Sequence, residues 1–170
     1  MNEPDHPEKP GHPEEHGTEE RGAVLRLPTT ADTEAFGRTL AAGLRAGDLV
    51  ILDGPLGAGK TALTRGIAAG LGVTGRVSSP TFVIARTHRA RPGGIGLVHV
   101  DAYRLDPASG TGVLDELDAL DLDTELTDAV VVVEWGVGVA ERLADRYLLV
   151  RLRREPDSDV RTAAWEWVAR

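Results

Sequence analysis

Short apolar runs alternate with stretches of helical periodicity through most of the chain. Runs of four to six apolar residues favour buried strands, whereas apolar residues three or four positions apart favour one face of a helix. The runs predict strands at Val24–Leu27, Leu49–Leu52, Phe82–Ala85, Gly96–Val100, Val130–Val133, Tyr147–Leu152 and Ala164–Val168. Because the four valines of Val130–Val133 are apolar on both faces, that strand is expected at the centre of a sheet covered on each side.

Helical periodicity is clearest in two segments. Ala31–Leu44 has apolar residues every four positions from Phe36, and Lys60–Leu71 has a similar apolar face and ends at Gly72, a typical helix stop. A further short helix is predicted at Val139–Ala144. Strands that alternate with helices indicate an α/β sandwich whose sheet is mostly parallel in the middle.

Two polar segments interrupt this pattern. Arg86–Gly94 is basic and contains glycine, so we predict a connection there. Its arginines are interpreted as a solvated turn, with a substrate clamp as the alternative. Residues 106–128 are acidic and broken by proline and glycine, and at most short helices are expected around Leu114–Ala119.

The amino-terminal segment differs in composition from the rest. Residues 1–22 are rich in proline, glutamate, glycine and histidine and have almost no large apolar side chains, so a disordered tail is predicted. Residues 23–170 are predicted to form a single domain. The chain has no cysteine, which excludes disulfides, thiolate metal sites and cysteine nucleophiles. No membrane-spanning run or signal peptide is visible, so we expect a cytoplasmic protein without a membrane partner.

Charge argues against independent binding to nucleic acid. The net charge is −8, and residues 1–22 contribute −5 of it through seven acidic and two basic residues. The remaining domain is slightly acidic, whereas affinity for nucleic acid comes mainly from neutralising phosphates with basic side chains. If RNA is involved, we expect a partner protein to hold it.

The segment from Gly54 to Thr61 reads Gly-Pro-Leu-Gly-Ala-Gly-Lys-Thr and matches the phosphate-binding pattern G-x-x-x-x-G-K-[ST]. It follows a predicted strand and opens a predicted helix, as the motif requires. Its glycines let backbone N–H groups point at phosphates, while Lys60 reaches the outer phosphates and the Thr61 hydroxyl reaches Mg²⁺. The cofactor-binding residues predicted from this loop are Gly54, Gly57, Ala58, Gly59, Lys60, Thr61 and Ala62.

Two acidic residues end predicted strands. Glu134 follows Val130–Val133, and Asp101 follows Gly96–Val100. In an open parallel sheet, ligands bind at the carboxyl ends of strands, so both carboxylates are candidates to hold Mg²⁺ or to orient an attacking water. The alternatives are a strand-end acid in solvent for Glu134 and a turn residue for Asp101.

A proline flanked by hydroxyls, Ser79-Pro80-Thr81, follows the phosphate-loop helix. A rigid bend of this kind suits a switch loop that changes shape with the terminal phosphate. Trp135 offers a flat surface to a base or a partner, but packing is the default interpretation.

Taken together, these motifs resemble the TsaE (YjeE) family of bacterial threonylcarbamoyladenosine biosynthesis ATPases. The resemblance covers about residues 24–152 and rests on the phosphate loop, Ser79-Pro80-Thr81-Phe82, His99-x-Asp101-x-Tyr103-Arg104-Leu105 and Val133-Glu134-Trp135, in that order and spacing. It implies a P-loop NTPase-like α/β sandwich with a mostly parallel central sheet, helices on both faces and antiparallel edge strands.

The same resemblance implies a function. Lys60 and Thr61 would hold the phosphates and Mg²⁺ of ATP. Glu134 would be a metal-linked catalytic acid, and Asp101 would support the metal or the water. Such proteins act as the ATP-hydrolysing member of a complex with a threonylcarbamoyl-transfer subunit and its dimerising paralogue. The product is the modified adenosine next to the anticodon in tRNAs that read codons beginning with A.

The resemblance also locates the base and identifies departures. The adenine pocket would involve the segment after the first strand, which here contains Thr30 and Thr33. Pro55 stands where the family commonly has an acid, and Ala62 replaces a common second threonine. Neither change removes a metal or phosphate ligand, but both lie beside the phosphate loop and bear on nucleotide affinity.

Three alternatives share the phosphate loop. A small-molecule kinase would present a hydroxyl acceptor and usually an arginine-rich lid, for which Arg86–Arg91 is short. A GTPase is disfavoured because the only asparagine is Asn2, so the Asn-Lys-x-Asp base-reading motif is absent. A nucleotide-gated interaction module would bind ATP in order to dock on partners and would hydrolyse little.

Overall fold

A computed structural model describes residues 24–78, 85–104 and 128–169. The strands are β1 (Leu25–Leu27), β2 (Leu49–Asp53), β3 (Ala85–His88), β4 (Gly96–Asp101), β5 (Ala129–Glu134), β6 (Arg146–Arg154) and β7 (Arg161–Ala169). The α-helices are α1 (Thr30–Ala41) and α2 (Lys60–Leu71), and two 3₁₀ helices span Ala102–Arg104 and Ala140–Leu143. The predicted tail, the switch residues Ser79, Pro80 and Thr81, and the helices expected around Leu114–Ala119 lie outside the described residues.

The seven strands form one sheet in the order β1-β7-β6-β2-β5-β4-β3. The four middle strands β6, β2, β5 and β4 run parallel to one another, whereas β1 with β7, β7 with β6 and β3 with β4 pair antiparallel. This arrangement confirms the predicted α/β fold with a mostly parallel centre and antiparallel edges. The register pairs Glu134 with Leu52 on one side and with Asp101 on the other, so β2, β5 and β4 end at the same edge of the sheet.

An apolar layer covers each face of the sheet. On one face, Val50 and Val132 belong to a buried cluster with Leu63 and Ile67 of α2, and α1 contributes Phe36. On the other face, alternate residues of the same strands form a second buried cluster, which includes Ala102 and Ala140 of the 3₁₀ helices. Fully burying a side chain of this size stabilises the fold by about 1.5–3 kcal/mol. The doubly apolar strands β2 and β5 therefore occupy the centre, as their sequences predict.

One loop prediction was wrong. Arg86–Gly94 was expected to be a connection, but its first three residues belong to β3, in which Arg86 pairs with His99 and His88 pairs with Leu97. An edge strand is held by backbone hydrogen bonds that any side chain permits, so it needs no apolar run. The predicted strand Phe82–Ala85 is described only at Ala85, which begins β3. The helix expected at Val139–Ala144 is present as a 3₁₀ helix.

Helices α1 and α2 approach closely because glycines lie at their contact. A Cβ atom added at Gly37 would lie 2.5 Å from the backbone oxygen of Leu63, and one at Gly66 would overlap with the backbone oxygen of Glu34. This contact holds α2, and hence the phosphate loop at its start, against α1. No helix of the described residues is both long enough and apolar enough to span a membrane.

Substitution at the helix contact is expected to destabilise the fold. Gly66→Ala should lower the free energy of unfolding by about 1–3 kcal/mol, because overpacking forces the two helices apart. Gly43→Ala is the control, since the nearest atom to its added Cβ is 3.6 Å away. Urea unfolding followed by circular dichroism measures both variants, and equal stabilities for the two would contradict the close contact.

Candidate functional site

A cleft of about 600 Å³ opens where the parallel strands of the centre end. It joins the phosphate loop to both strand-end acids, although Thr61 and Glu134 are 73 positions apart in the chain. The lining residues are Thr30, Leu56, Gly57, Gly59, Lys60, Thr61, Ala62, Arg65, Asp101, Tyr103, Glu134, Trp135 and Arg161.

The phosphate loop turns into α2 at Gly59. This residue has a φ of 101°, a left-handed conformation that glycine adopts without the steric penalty of a Cβ atom. A Cβ atom there would also come within 2.9 Å of Nε of Arg161. No side chain caps α2 at Gly59, so the first N–H groups and the positive end of the helix dipole are available to an anion.

Lys60 lies inside the loop, with only 5% of its surface exposed. Its Nζ donates hydrogen bonds to the backbone oxygens of Gly54 at 2.6 Å and Pro55 at 3.0 Å, and lies 3.7 Å from the ring centroid of Trp135. Burial lowers the pKa of Lys60, while nearby carboxylates, first among them Glu134, oppose that shift. The ammonium group of Lys60 therefore lies at the position from which the lysine of this motif binds phosphate.

Glu134 is 4% exposed and is bonded from two sides. The Thr61 hydroxyl donates to its Oε1 at 3.0 Å and lies 3.4 Å from Oε2. His99 Nε2 lies 2.8 Å from the same Oε1. A buried carboxylate requires such partners, because an unpaired charge is costly away from water. The solvent-exposed alternative for Glu134 is therefore excluded.

The chain bends sharply after Glu134. Trp135 has a φ of 63°, which is a strained conformation for a bulky residue, and its N–H donates to the backbone oxygen of Leu52 at 3.2 Å. The bend turns the indole towards Lys60 and towards Tyr103, whose ring centroid is 5.2 Å from that of Trp135. Asp101 is 8% exposed and accepts a hydrogen bond from the Tyr103 N–H at 3.2 Å.

Most of the predicted site residues meet in the cleft. Those that line it are Thr30, Gly57, Gly59, Lys60, Thr61, Ala62, Asp101 and Glu134. Three others do not line it: Gly54 accepts the Lys60 hydrogen bond, Ala58 is fully buried, and Thr33 is fully buried with its hydroxyl donating to the backbone oxygen of Thr29 at 3.2 Å.

Sequence reasoning missed part of the lining. Leu56, Arg65, Tyr103 and Arg161 were not predicted as site residues, and Trp135 was interpreted as packing although it also lines the cleft. Tyr103 belongs to the segment that carried the family resemblance, which was the available signal. Arg161 lies on β7, about a hundred positions along the chain from Gly59, which it approaches in the fold. No pattern in the sequence around Arg161 predicts that contact.

The oxygen atoms at this edge suit a small hard cation. Mg²⁺ is commonly bound through one or two carboxylates, waters and substrate phosphates. Thr61 Oγ1 and the Glu134 carboxylate are already in contact, and Asp101 ends the adjacent strand. Among the described residues, no group of three or more His, Cys, Asp or Glu side chains could hold a metal ion. The oxygen donors that line the cleft at this edge are the Thr61 hydroxyl and the carboxylates of Glu134 and Asp101.

Comparison with known proteins identifies the family to which this chain is similar. The family model for threonylcarbamoyl adenosine biosynthesis protein TsaE matches residues 27–163. The tRNA threonylcarbamoyladenosine biosynthesis protein TsaE of Mycobacterium bovis is 56% identical over 147 residues, which cover 86% of this chain and 88% of the relative. The Bacillus subtilis protein of the same name is 36% identical over 135 residues, or 79% of each chain.

A solved structure has a similar fold. The crystal structure of Bacillus subtilis YdiB superposes with a TM-score of 0.66 at 30% identity, and the match covers 87% of this chain and 86% of that one. The match supports the P-loop NTPase-like fold inferred from the sheet and its phosphate loop. The family model, which spans most of the described domain, and these relatives establish that the chain belongs to the TsaE family of threonylcarbamoyladenosine biosynthesis proteins.

Proposed function

We propose that this chain is the Mg²⁺-dependent ATPase subunit of a bacterial, cytoplasmic tRNA-modification system. It binds ATP in the cleft and cycles a complex formed with the threonylcarbamoyl-transfer subunit and its dimerising paralogue. The modified base is the adenosine next to the anticodon in tRNAs that read codons beginning with A. The relatives' names, which specify tRNA threonylcarbamoyladenosine biosynthesis, support this assignment.

The observation that carries the proposal is the contact between Thr61 and Glu134 beside Lys60. A phosphate loop alone binds nucleotide, whereas hydrolysis also needs acidic groups for Mg²⁺ and a group that orients water. The 3.0 Å hydrogen bond joins the loop hydroxyl to a buried carboxylate at a strand end. Candidates for both tasks therefore lie within one cleft, which supports hydrolysis as the function.

Each residue has a distinct task in this proposal. Glycines of the loop and the N-terminus of α2 bind phosphate oxygens through backbone N–H groups, and Lys60 supplies the compensating positive charge. Thr61 and Glu134, supported by Asp101, would hold Mg²⁺, which neutralises charge on the phosphates when bound. Glu134 is also the proposed catalytic acid that orients the attacking water.

Exposed apolar groups at the mouth of the cleft support a role within a complex. Leu56, on the phosphate loop, is 91% exposed, and Tyr103 is 73% exposed. Apolar groups gathered at a functional cleft are typical of surfaces that bind partners. The domain itself is slightly acidic, so tRNA would be held through the complex rather than by this subunit.

Lys60 is expected to dominate ATP affinity. Lys60→Ala should weaken binding of ATP with Mg²⁺ at least about tenfold in calorimetry, because phosphate charge loses its compensating ammonium. Lys9→Ala, at the only other lysine, is the matched control. Unchanged affinity of the Lys60 variant would rule out the assignment of the loop.

Thr61→Val should bind ATP without Mg²⁺ normally but lose the gain in affinity that Mg²⁺ provides.

Glu134 is expected to matter for hydrolysis more than for folding. Glu134→Gln keeps the size of the side chain and removes its charge, so ATP turnover in the reconstituted complex should fall by about tenfold or more. Glu166→Gln, an equivalent change on β7 in an ion pair with Arg151, should turn over normally. A parental rate for Glu134→Gln would transfer the catalytic role to Asp101.

The isolated protein is expected to be a poor ATPase. Addition of the transfer subunit and its paralogue should raise ATP hydrolysis and produce modified tRNA, because partner binding links phosphate state to the transfer reaction. Reconstitution with all three proteins, measuring ATP use and modified tRNA together, tests this. Fast turnover by the chain alone with a small hydroxyl compound, unaffected by partners, would favour a small-molecule kinase instead.

A further inference from the structure

His99 lies directly behind the Glu134 carboxylate. It is fully buried, and its Nε2 is 2.8 Å from Glu134 Oε1. The register of β4 and β5 pairs Asp101 with Glu134 and His99 with Val132. Residues two positions apart on a strand share a face, so His99 and Glu134 are diagonal neighbours on the face that carries α2. The contact therefore follows from the pairing of two central strands.

Two groups converge on one carboxylate oxygen. Oε1 of Glu134 is 2.8 Å from His99 Nε2 and 3.0 Å from Thr61 Oγ1. The terminal torsion of a glutamate is broad and has no sharp preference of its own. Two bonds to the same oxygen from opposite elements, β4 and α2, fix the plane of the carboxylate. The orientation of the other oxygen is set by the same two contacts.

The other ring nitrogen of His99, Nδ1, indicates why a histidine occupies this position. A bond from Nε2 to a carboxylate requires the proton on Nε2, which in the neutral ring leaves Nδ1 as an acceptor. Nδ1 of His99 is buried and has no hydrogen-bond partner within the described part of the chain. An apolar side chain would fill this space without leaving a buried polar atom unpaired. The imidazole is therefore poorly explained by packing and well explained by its bond to Glu134.

We propose that His99 is a positioning residue for ATP hydrolysis, which holds the Glu134 carboxylate in the orientation that the metal and the attacking water require. This inference rests on the proposed function. His99 touches neither nucleotide nor metal in this role and acts only through Glu134. Groups that orient a metal-binding side chain from behind typically change metal affinity or activity by about 10–100-fold when removed.

The test compares His99→Leu with His99→Gln in the reconstituted complex. Leucine fills the space without a donor, so kcat for ATP should fall by about 10–100-fold while KM changes by less than about threefold. The side-chain amide of glutamine donates from a position near that of Nε2, so His99→Gln should recover most of the lost kcat. In a Glu134→Gln background, His99→Leu should cause almost no further loss, because the group that it positions has already been altered.

A readout apart from activity uses Mn²⁺ as the probe. Electron paramagnetic resonance of the isolated protein with ADP should give weaker Mn²⁺ binding for His99→Leu and near-parental binding for His99→Gln. His88→Leu is the matched control, because His88 is the only other histidine of the described residues. It is also buried, on adjacent β3, and its Nε2 has no hydrogen-bond partner among those residues. That variant should keep kcat and Mn²⁺ affinity whatever its thermal stability.

The outcomes separate this inference from the function on which it rests. A parental kcat for His99→Leu, with Glu134→Gln impaired, overturns the positioning role alone. Parental rates for both variants also remove the catalytic role of Glu134. Additive losses in the double variant, or failure of His99→Gln to recover activity and Mn²⁺ affinity in a folded protein, overturn the inference as well. If His99→Leu does not fold, His99→Met, which also lacks a donor and adapts its shape to the space, replaces it under the same criteria.

Discussion

The parallel pairing of β2 with β5 and of β5 with β4 is the constraint on which the site depends. Because these strands run in the same direction and in register, Asp53, Glu134 and Asp101 arrive at one edge of the sheet. The pairing is stable because alternate residues of β2 and β5 enter two separate apolar layers, one against α1 and α2 and one against the 3₁₀ helices. These two apolar layers hold the strands in register, and the polar side chains at the edge of the sheet are free for chemistry.

Buried charge is the main cost of this arrangement, and the site compensates for it locally. Glu134 and Lys60 are both almost fully buried, and the carboxylate opposes the loss of the lysine proton that burial favours. Thr61 and His99 satisfy the carboxylate with hydrogen bonds, and backbone oxygens of the loop satisfy the ammonium. The strained bend at Trp135 ends β5 directly after Glu134, whose carboxylate contacts Thr61.

The local motif and the central strands were predictable because their signals are local. The phosphate-loop motif, the span of α2 and the buried valine strand are each encoded in a few consecutive residues, and the structure confirms the helix and the strand. The continuation of β3 through Arg86–His88 was not predicted, because an edge strand is held by backbone pairing and leaves its side chains free to be polar. Thr33 of α1 is fully buried, and its methyl group lies 3.6 Å from the position of a Cβ atom added at Gly59, so its place in a base pocket stays a prediction.

By itself, the sequence determined the fold class, the phosphate loop and the two strand-end acids, because glycine placement, apolar period and strand ends are properties of short segments. Only the tertiary structure decided which distant groups meet. Strand pairing brings His99 and Thr61 to the same oxygen of Glu134, and β7 brings Arg161 to Gly59. Such contacts depend on the order and register of strands in the sheet, which no single segment of the chain encodes.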